Sequence, residues 1–245
     1  VVLTRSAGCV INDFADRKLD LHVLRTRERP LTTGRISELE ALVFCGLLLL
    51  PAGILVLFTN ALTVALAVVA TAVAATYPFM KRWTYLPQVV LGTAFGCSVP
   101  MAFAAQTGTV PVLAWLLFLA NLFWTVAYDT WYAMVDRNDD LKVGIRSTAI
   151  LFGEADVAMI AVLDAAALLT LLFLGSRLDY GWPWLLGLLV AAVLLLRQLY
   201  AGRTRTREAS FDNFLGNIRV GAVIFAGLAV DRALSGPADA PWIAP

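Results

Sequence analysis

Residues 6–20 read SAGCVINDFADRKLD. Small and apolar residues lead directly into Asn12, Asp13, Asp16 and Asp20. Asn12, Asp16 and Asp20 recur every four residues, so a helix running through them carries all three on one face, drifting about 40° per step. What that acid is for depends on whether the surrounding chain is soluble. Hydrophobic residues make up 60% of the 245 and charged ones 15%, against about 25% charged in soluble domains. The chain is a membrane protein by composition. A formal net charge of +1 lacks the basic excess of a nucleic-acid partner.

Working outward, apolar runs of membrane length lie near 38–58, 60–80, 86–106, 110–134, 154–175, 182–200 and 214–234, each close to the ~20 residues a bilayer needs. Residues 1–11 read as the tail of a further helix, and the lack of an initiator Met or signal-peptide pattern points to a longer native N-terminus. Basic residues alternate between the joins. Segment 12–37 carries Arg17, Lys18, Arg25, Arg27, Arg29 and Arg35, and the next join, near Asn60, carries none. Lys81 and Arg82 are followed by the uncharged QTGTV (106–110). Arg137, Lys142 and Arg146 come next, then a join with Arg177 alone, then Arg197, Arg203, Arg205 and Arg207. Basic loops stay in the cytoplasm, so both acid-rich stretches are expected on that side.

The second acidic stretch is YDTWYAMVDRNDDLKVGIRST (128–148). Asp136 and Asp140 repeat the four-residue spacing, and Asp129 lies on nearly the same face, about 10 Å deeper by helix rise. Two carboxylate clusters facing one space suit a hard cation such as Mg²⁺, which binds through one or two carboxylates plus substrate phosphates. On the bland reading these acids are simply solvated or paired with neighbouring Arg and Lys, and for Asp139 or Asp156 alone that reading is preferred. Asp129 differs, because a carboxylate within a span is costly and marks function by default. Lys81 and Arg82 end one span in TYPFMKRWTYLPQ (76–88) with Tyr77 a turn earlier. Alone they read as an interfacial anchor, but beside the acids they offer cations for phosphate.

Cys9, Cys45 and Cys97 lack metal-ligand spacing and read as buried thiols, and the single histidine, His22, as exposed. One histidine leaves no His-based zinc site, and there is no GxxxxGK[ST] loop.

These motifs resemble the UbiA superfamily of intramembrane prenyltransferases, and within it the hydroxybenzoate branch. RSAGCVINDFADRKLD followed by RTRERPLTTGRIS is similar to the family's NDxxDxxxD motif and its basic continuation, YPFMK to its YxxxK element, and Asp136, Asp140, Gly144 and Ser147 to DxxxDxxxGxxS. The resemblance implies an all-α transmembrane bundle of nine spans around a central cavity. This chain holds about seven and a half of them, as one N-terminally truncated domain over 1–245. It implies Mg²⁺-dependent transfer of a polyprenyl group from polyprenyl diphosphate to the carbon ortho to the hydroxyl of 4-hydroxybenzoate, in ubiquinone biosynthesis. Asn12, Asp16, Asp20, Asp136 and Asp140 would hold the metal, and Lys81, Arg82 and Arg146 the diphosphate. Asp13 or Asp129 would take the ring proton, Arg5 would bind the acceptor carboxylate, and Tyr77 would line the substrate site. The setting would be a bacterial inner membrane, or the mitochondrial one, with the site facing the cytoplasm. FLGNIRVG (214–221) departs from the family's Asn-rich pattern. Rival readings are another acceptor (naphthoate, haem or chlorophyllide-like) and a cation-coupled transporter, which would place its acids nearer mid-membrane.

Overall fold

The computed structural model describes residues 2–22 and 26–235, without the side chain of His22, so the expectation for that histidine lies outside the described residues. Every described element is helical: α1 (Val2–Asp16), a 3₁₀ turn (Asp20–His22), α2 (Glu38–Leu57), α3 (Ala61–Trp83), α4 (Pro87–Gly96), α5 (Ser98–Thr107), α6 (Val112–Val143), α7 (Thr148–Phe152), a second 3₁₀ turn (Gly153–Ala155), α8 (Asp156–Arg177), α9 (Trp182–Gly202) and α10 (Arg207–Ser235). Seven helical segments are long and apolar enough to cross a membrane. Their outer faces are apolar, with Leu47, Phe58 and Leu196 all more than half exposed, as a lipid solvent requires. The chain is a multi-pass integral membrane protein.

Local chemistry explains the boundaries. Ser37 starts α2 with a reciprocal capping box to Glu40. Asn60 caps α3 at Thr63 N and also donates to Ala104 O (2.5 Å), tying that join to α5. The span expected at 86–106 is two helices meeting at Cys97. Pro100 has no N–H to give the carbonyl four residues back, which breaks the ladder at Gly96.

Helix α6 is longer than the apolar run at 110–134. Its 32 residues span about 48 Å, so it leaves a ~30 Å hydrocarbon layer carrying Asp136 and Asp140 past the boundary. It ends at Gly144, whose φ of +72° suits a left-handed cap that glycine adopts without Cβ strain. Ser147 then caps α7, accepting from Ile150 N. The Gly and Ser of the second motif therefore shape the turn.

Helix α6 is the hub: it packs on α4 and α5 to one side and on α8 and α10 to the other, while α9 bridges α8 and α10. Helices α1 and α2 pair, and α1 also touches α3. Small residues allow the close crossings. A Cβ at Gly187 would lie 3.0 Å from Gly227 Cα across α9 and α10, and one at Gly202 would overlap the ring of Trp131. Asn213 donates to Gln198 O (2.9 Å), while Asn217 donates to Gln198 Oε1 (3.3 Å) and accepts from Trp124 Nε1 (2.7 Å). The divergent stretch in α10 thus ties that helix to α9 and α6.

Cys45 is buried as expected and Cys97 half-buried, but Cys9 is exposed. Helix α1 buries Ala7 and Ala15 instead, and Cys9, two residues from Ala7, points to the other side of the helix.

Two outcomes follow. Replacing Gly202 with Ala drives a methyl into Trp131, which is only 1% exposed; the expected loss is about 1–3 kcal/mol, read as lower thermal stability in detergent. Gly144→Val should cost about 1 kcal/mol or more, whereas Gly144→Asn, which tolerates the left-handed region, should remain near wild type.

Candidate active site

Helix α1 stops at Asp16, so the single face expected through Asp20 is corrected. Leu19 N bonds back to Asp16 O (2.7 Å), closing a turn. Two arginines take the last carbonyls of α1: Arg17 Nη1 donates to Phe14 O (2.7 Å) and Arg82 Nη2 to Ala15 O (2.6 Å). Such carbonyls have no partner inside the helix and need one outside. Asn12 and Asp16 keep their shared face, and the turn carries Asp20 round separately.

Asp16 is 1% exposed. One of its oxygens, Oδ2, accepts from Lys81 Nζ at the end of α3. The other, Oδ1, is buried without a hydrogen-bond partner. Asp20, 6% exposed, accepts from Arg29 (3.0 Å), which also donates to Asp13 (2.6 Å). Arg29 therefore bridges two of the three acids in the first motif. It was missed in the sequence; the signal was its place in the basic continuation, next to carboxylates that burial obliges to find counter-cations.

The second motif reaches the same place through the end of α3. After Asp140, Ile145 N bonds to Asp140 O (3.0 Å) and Arg146 N to Lys81 O (2.9 Å). The guanidinium of Arg146, expected from the resemblance to meet the diphosphate, donates to Trp83 O (2.7 Å) and lies 5.2 Å over the Tyr85 ring. Thus the chain leaving Asp140 docks on the backbone of Lys81, whose side chain holds Asp16. Asp129, Asp136 and Asp140 are all buried on α6. Tyr77 is close enough to Asp16, Asp129, Tyr132 and Arg5 for their charges or hydroxyls to act on its phenol. The end of α1 and the chain leaving α6 thus meet at Lys81 on α3.

The remaining candidates divide. Asp13 turns to Arg29 at a recess of about 360 Å³ lined by Val10, Pro30, Glu40 and Phe44 among others. Arg5 has an exposed side chain that donates to Cys9 Sγ (2.8 Å) and sits 6.0 Å from the Phe95 ring. Arg82 caps α1 and lies over Phe79 (5.6 Å). Asn12 is half-buried and makes no hydrogen bond with a described residue.

Asp139 and Asp156 are structural, as preferred above. Asp156 is fully buried and receives Arg137 (2.5 Å) and Arg205 (3.0 Å), while Asp139 receives Arg207 (2.8 Å) and Lys142 (3.3 Å). These pairs lock the α9–α10 join against the far side of the second motif.

Among the described residues no three His, Cys, Asp or Glu side chains form a ready metal cage. Mg²⁺ does not require such a cage, because it keeps waters and takes phosphate oxygens rather than an all-protein shell. The orphaned Oδ1 of Asp16 is an oxygen donor of the right kind, already buried and unclaimed.

A family model described as the UbiA prenyltransferase family matches residues 1–221. A 4-hydroxybenzoate octaprenyltransferase of Pseudomonas syringae pv. tomato is 54% identical over 96% of this chain and 79% of its own length. One from Photobacterium profundum is 56% identical over 94% and 80%. Among solved structures, the apo form of a UbiA homolog from Aeropyrum pernix K1 superposes with a TM-score of 0.81 at 25% identity, covering 94% of this chain and 86% of the other. A UbiA homolog from Archaeoglobus fulgidus, bound to GPP and Mg²⁺, gives 0.60 at 20% identity, covering 91% and 82%. With its acidic motifs gathered at the end of α3 and these relatives along nearly its whole length, the chain belongs to the UbiA prenyltransferase family.

Proposed function

We propose that this protein transfers a polyprenyl group from its diphosphate to the carbon ortho to the hydroxyl of 4-hydroxybenzoate, the ring-prenylation step of ubiquinone biosynthesis. The observation that carries this is the 54% identity over 96% of the chain to a 4-hydroxybenzoate octaprenyltransferase. The setting is a bacterial inner membrane, and the basic joins orient the acidic motifs toward the cytoplasm.

Asp16, Asp20, Asp136 and Asp140, with Asn12, would hold Mg²⁺. When bound, the metal supplies positive charge against the departing diphosphate. Lys81 and Arg29 are placed to meet the phosphates. Each now neutralises a buried carboxylate, and each has the cation that an incoming diphosphate needs. Arg82, next to Lys81 in the last turn of α3, adds a further positive charge. As the allylic C–O bond lengthens, these fixed cations favour the separated charges, which is electrostatic catalysis in a site arranged beforehand. The electron-rich ring carbon ortho to the phenol then bonds to the allylic cation, and the proton on that carbon leaves.

Of the two candidate proton acceptors, the geometry favours Asp129. It is buried on α6, whereas Arg29 holds Asp13 toward the recess against α2. Arg5, whose exposed guanidinium donates to Cys9 Sγ, would have to turn from that partner to give a carboxylate on the acceptor a bidentate pair. The apolar surroundings keep water from the cation.

The test is transfer of radiolabelled 4-hydroxybenzoate into lipid by membranes carrying the protein and supplied with octaprenyl diphosphate. Label should move only with Mg²⁺ present, and chelation should abolish it. Asp16→Asn and Asp136→Asn should each lower turnover about a hundredfold or more while the protein remains folded. Transfer to 1,4-dihydroxy-2-naphthoate in place of 4-hydroxybenzoate would move the assignment to another acceptor.

A further inference from the structure

From the last turns of α9 to the first residue of α10 the chain carries Arg197, Arg203, Arg205 and Arg207. Two have carboxylate partners: Arg205 on Asp156 and Arg207 on Asp139. Arg197 and Arg203 pair with no carboxylate among the described residues. The guanidinium of Arg203 lies 5.3 Å over the Tyr200 ring. Arg197 borders a groove of about 470 Å³ lined by Val193, Leu196, Tyr200 and Ala201.

These five positions fall on one side of α9 at helical spacing. The side turned toward α8 and α10 is a different one, buried at Ala191, Leu195, Gln198 and Gly202. Val193, Leu196 and Tyr200 are exposed, so the groove opens to lipid. Helix α9 has 21 residues, a length of about 31 Å that matches a ~30 Å hydrocarbon layer. Gly202 then sits at the layer's edge, and Arg197 lies about 7 Å below it by helix rise. A cation at that depth is costly unless paired, and its side chain reaches upward to the phosphate level.

We propose that this groove binds an anionic phospholipid. Its phosphate would meet Arg197 through the two-pronged guanidinium, with Arg203 and the Tyr200 hydroxyl alongside, and an acyl chain would lie along Val193 and Leu196. Charge selects the headgroup: two arginines without a protein counter-ion attract a net negative lipid and gain nothing from one whose own cation neutralises the phosphate. The arginines that face inward are already satisfied, so this pair is available to the bilayer.

The test is native mass spectrometry of the purified full chain with phosphatidylglycerol or phosphatidylcholine of matched acyl chains. The wild type should retain phosphatidylglycerol in preference. The double variant Arg197→Gln/Arg203→Gln should lose that preference, by roughly thirtyfold if each arginine acts independently. Arg177→Gln, which removes an exposed arginine at the opposite end of the bundle, should leave it intact. Equal retention of the two lipids by the wild type would overturn the proposal. So would unchanged phosphatidylglycerol retention in the double variant, or an equal loss in Arg177→Gln. Both substituted arginines are exposed, and Arg197→Lys/Arg203→Lys, which keeps the charge, should hold most of the preference.

Discussion

A carboxylate cannot be buried alone, and Asp16 shows how this protein meets that constraint. At 1% exposure its charge is held by Lys81 from another helix, and removing one partner of such a pair leaves an uncompensated charge that typically costs ~3–5 kcal/mol. The pairing therefore fixes the end of α1 against the end of α3. Arg82 reinforces it by taking a terminal carbonyl of α1. The backbone of Lys81 in turn receives Arg146 N from the chain leaving Asp140. One lysine thus organises both acidic motifs, through its side chain on one and its backbone on the other.

The same economy recurs on the far side of α6. Asp156 is fully buried yet receives two arginines, and Asp139 takes Arg207. These acids have settled partners within the protein. Asp16 has one oxygen left over, which separates a carboxylate that holds the fold from one free to take a ligand.

Much of this was legible from residue patterns. The spans at 38–58 and 182–200 fall within a few residues of α2 and α9, because lipid demands continuous apolar length. The alternation of basic joins placed both acidic motifs at one end before any contact was visible. What hydropathy could not reveal was helix persisting outside lipid. Helix α6 continues to Val143 through polar residues that an apolar-run criterion discards, and only Gly144 stops it. The expected face through Asp20 failed for the opposite reason: capping of the α1 carbonyls by Arg17 and Arg82 closes the helix early. The basic continuation signalled a cation for these acids, but which arginine bridges Asp13 and Asp20 depends on how residues 26–36 fold back over α1.

A double-mutant cycle on prenyl transfer tests most directly whether both motifs act on one diphosphate. Rates would be compared for wild type, Asp16→Asn, Asp140→Asn and the double variant at saturating Mg²⁺. If the two carboxylates serve one ligand, the double variant will be little slower than the worse single variant, because groups acting as a unit are strongly non-additive. Losses that multiply independently, or a single variant with wild-type turnover, would contradict it.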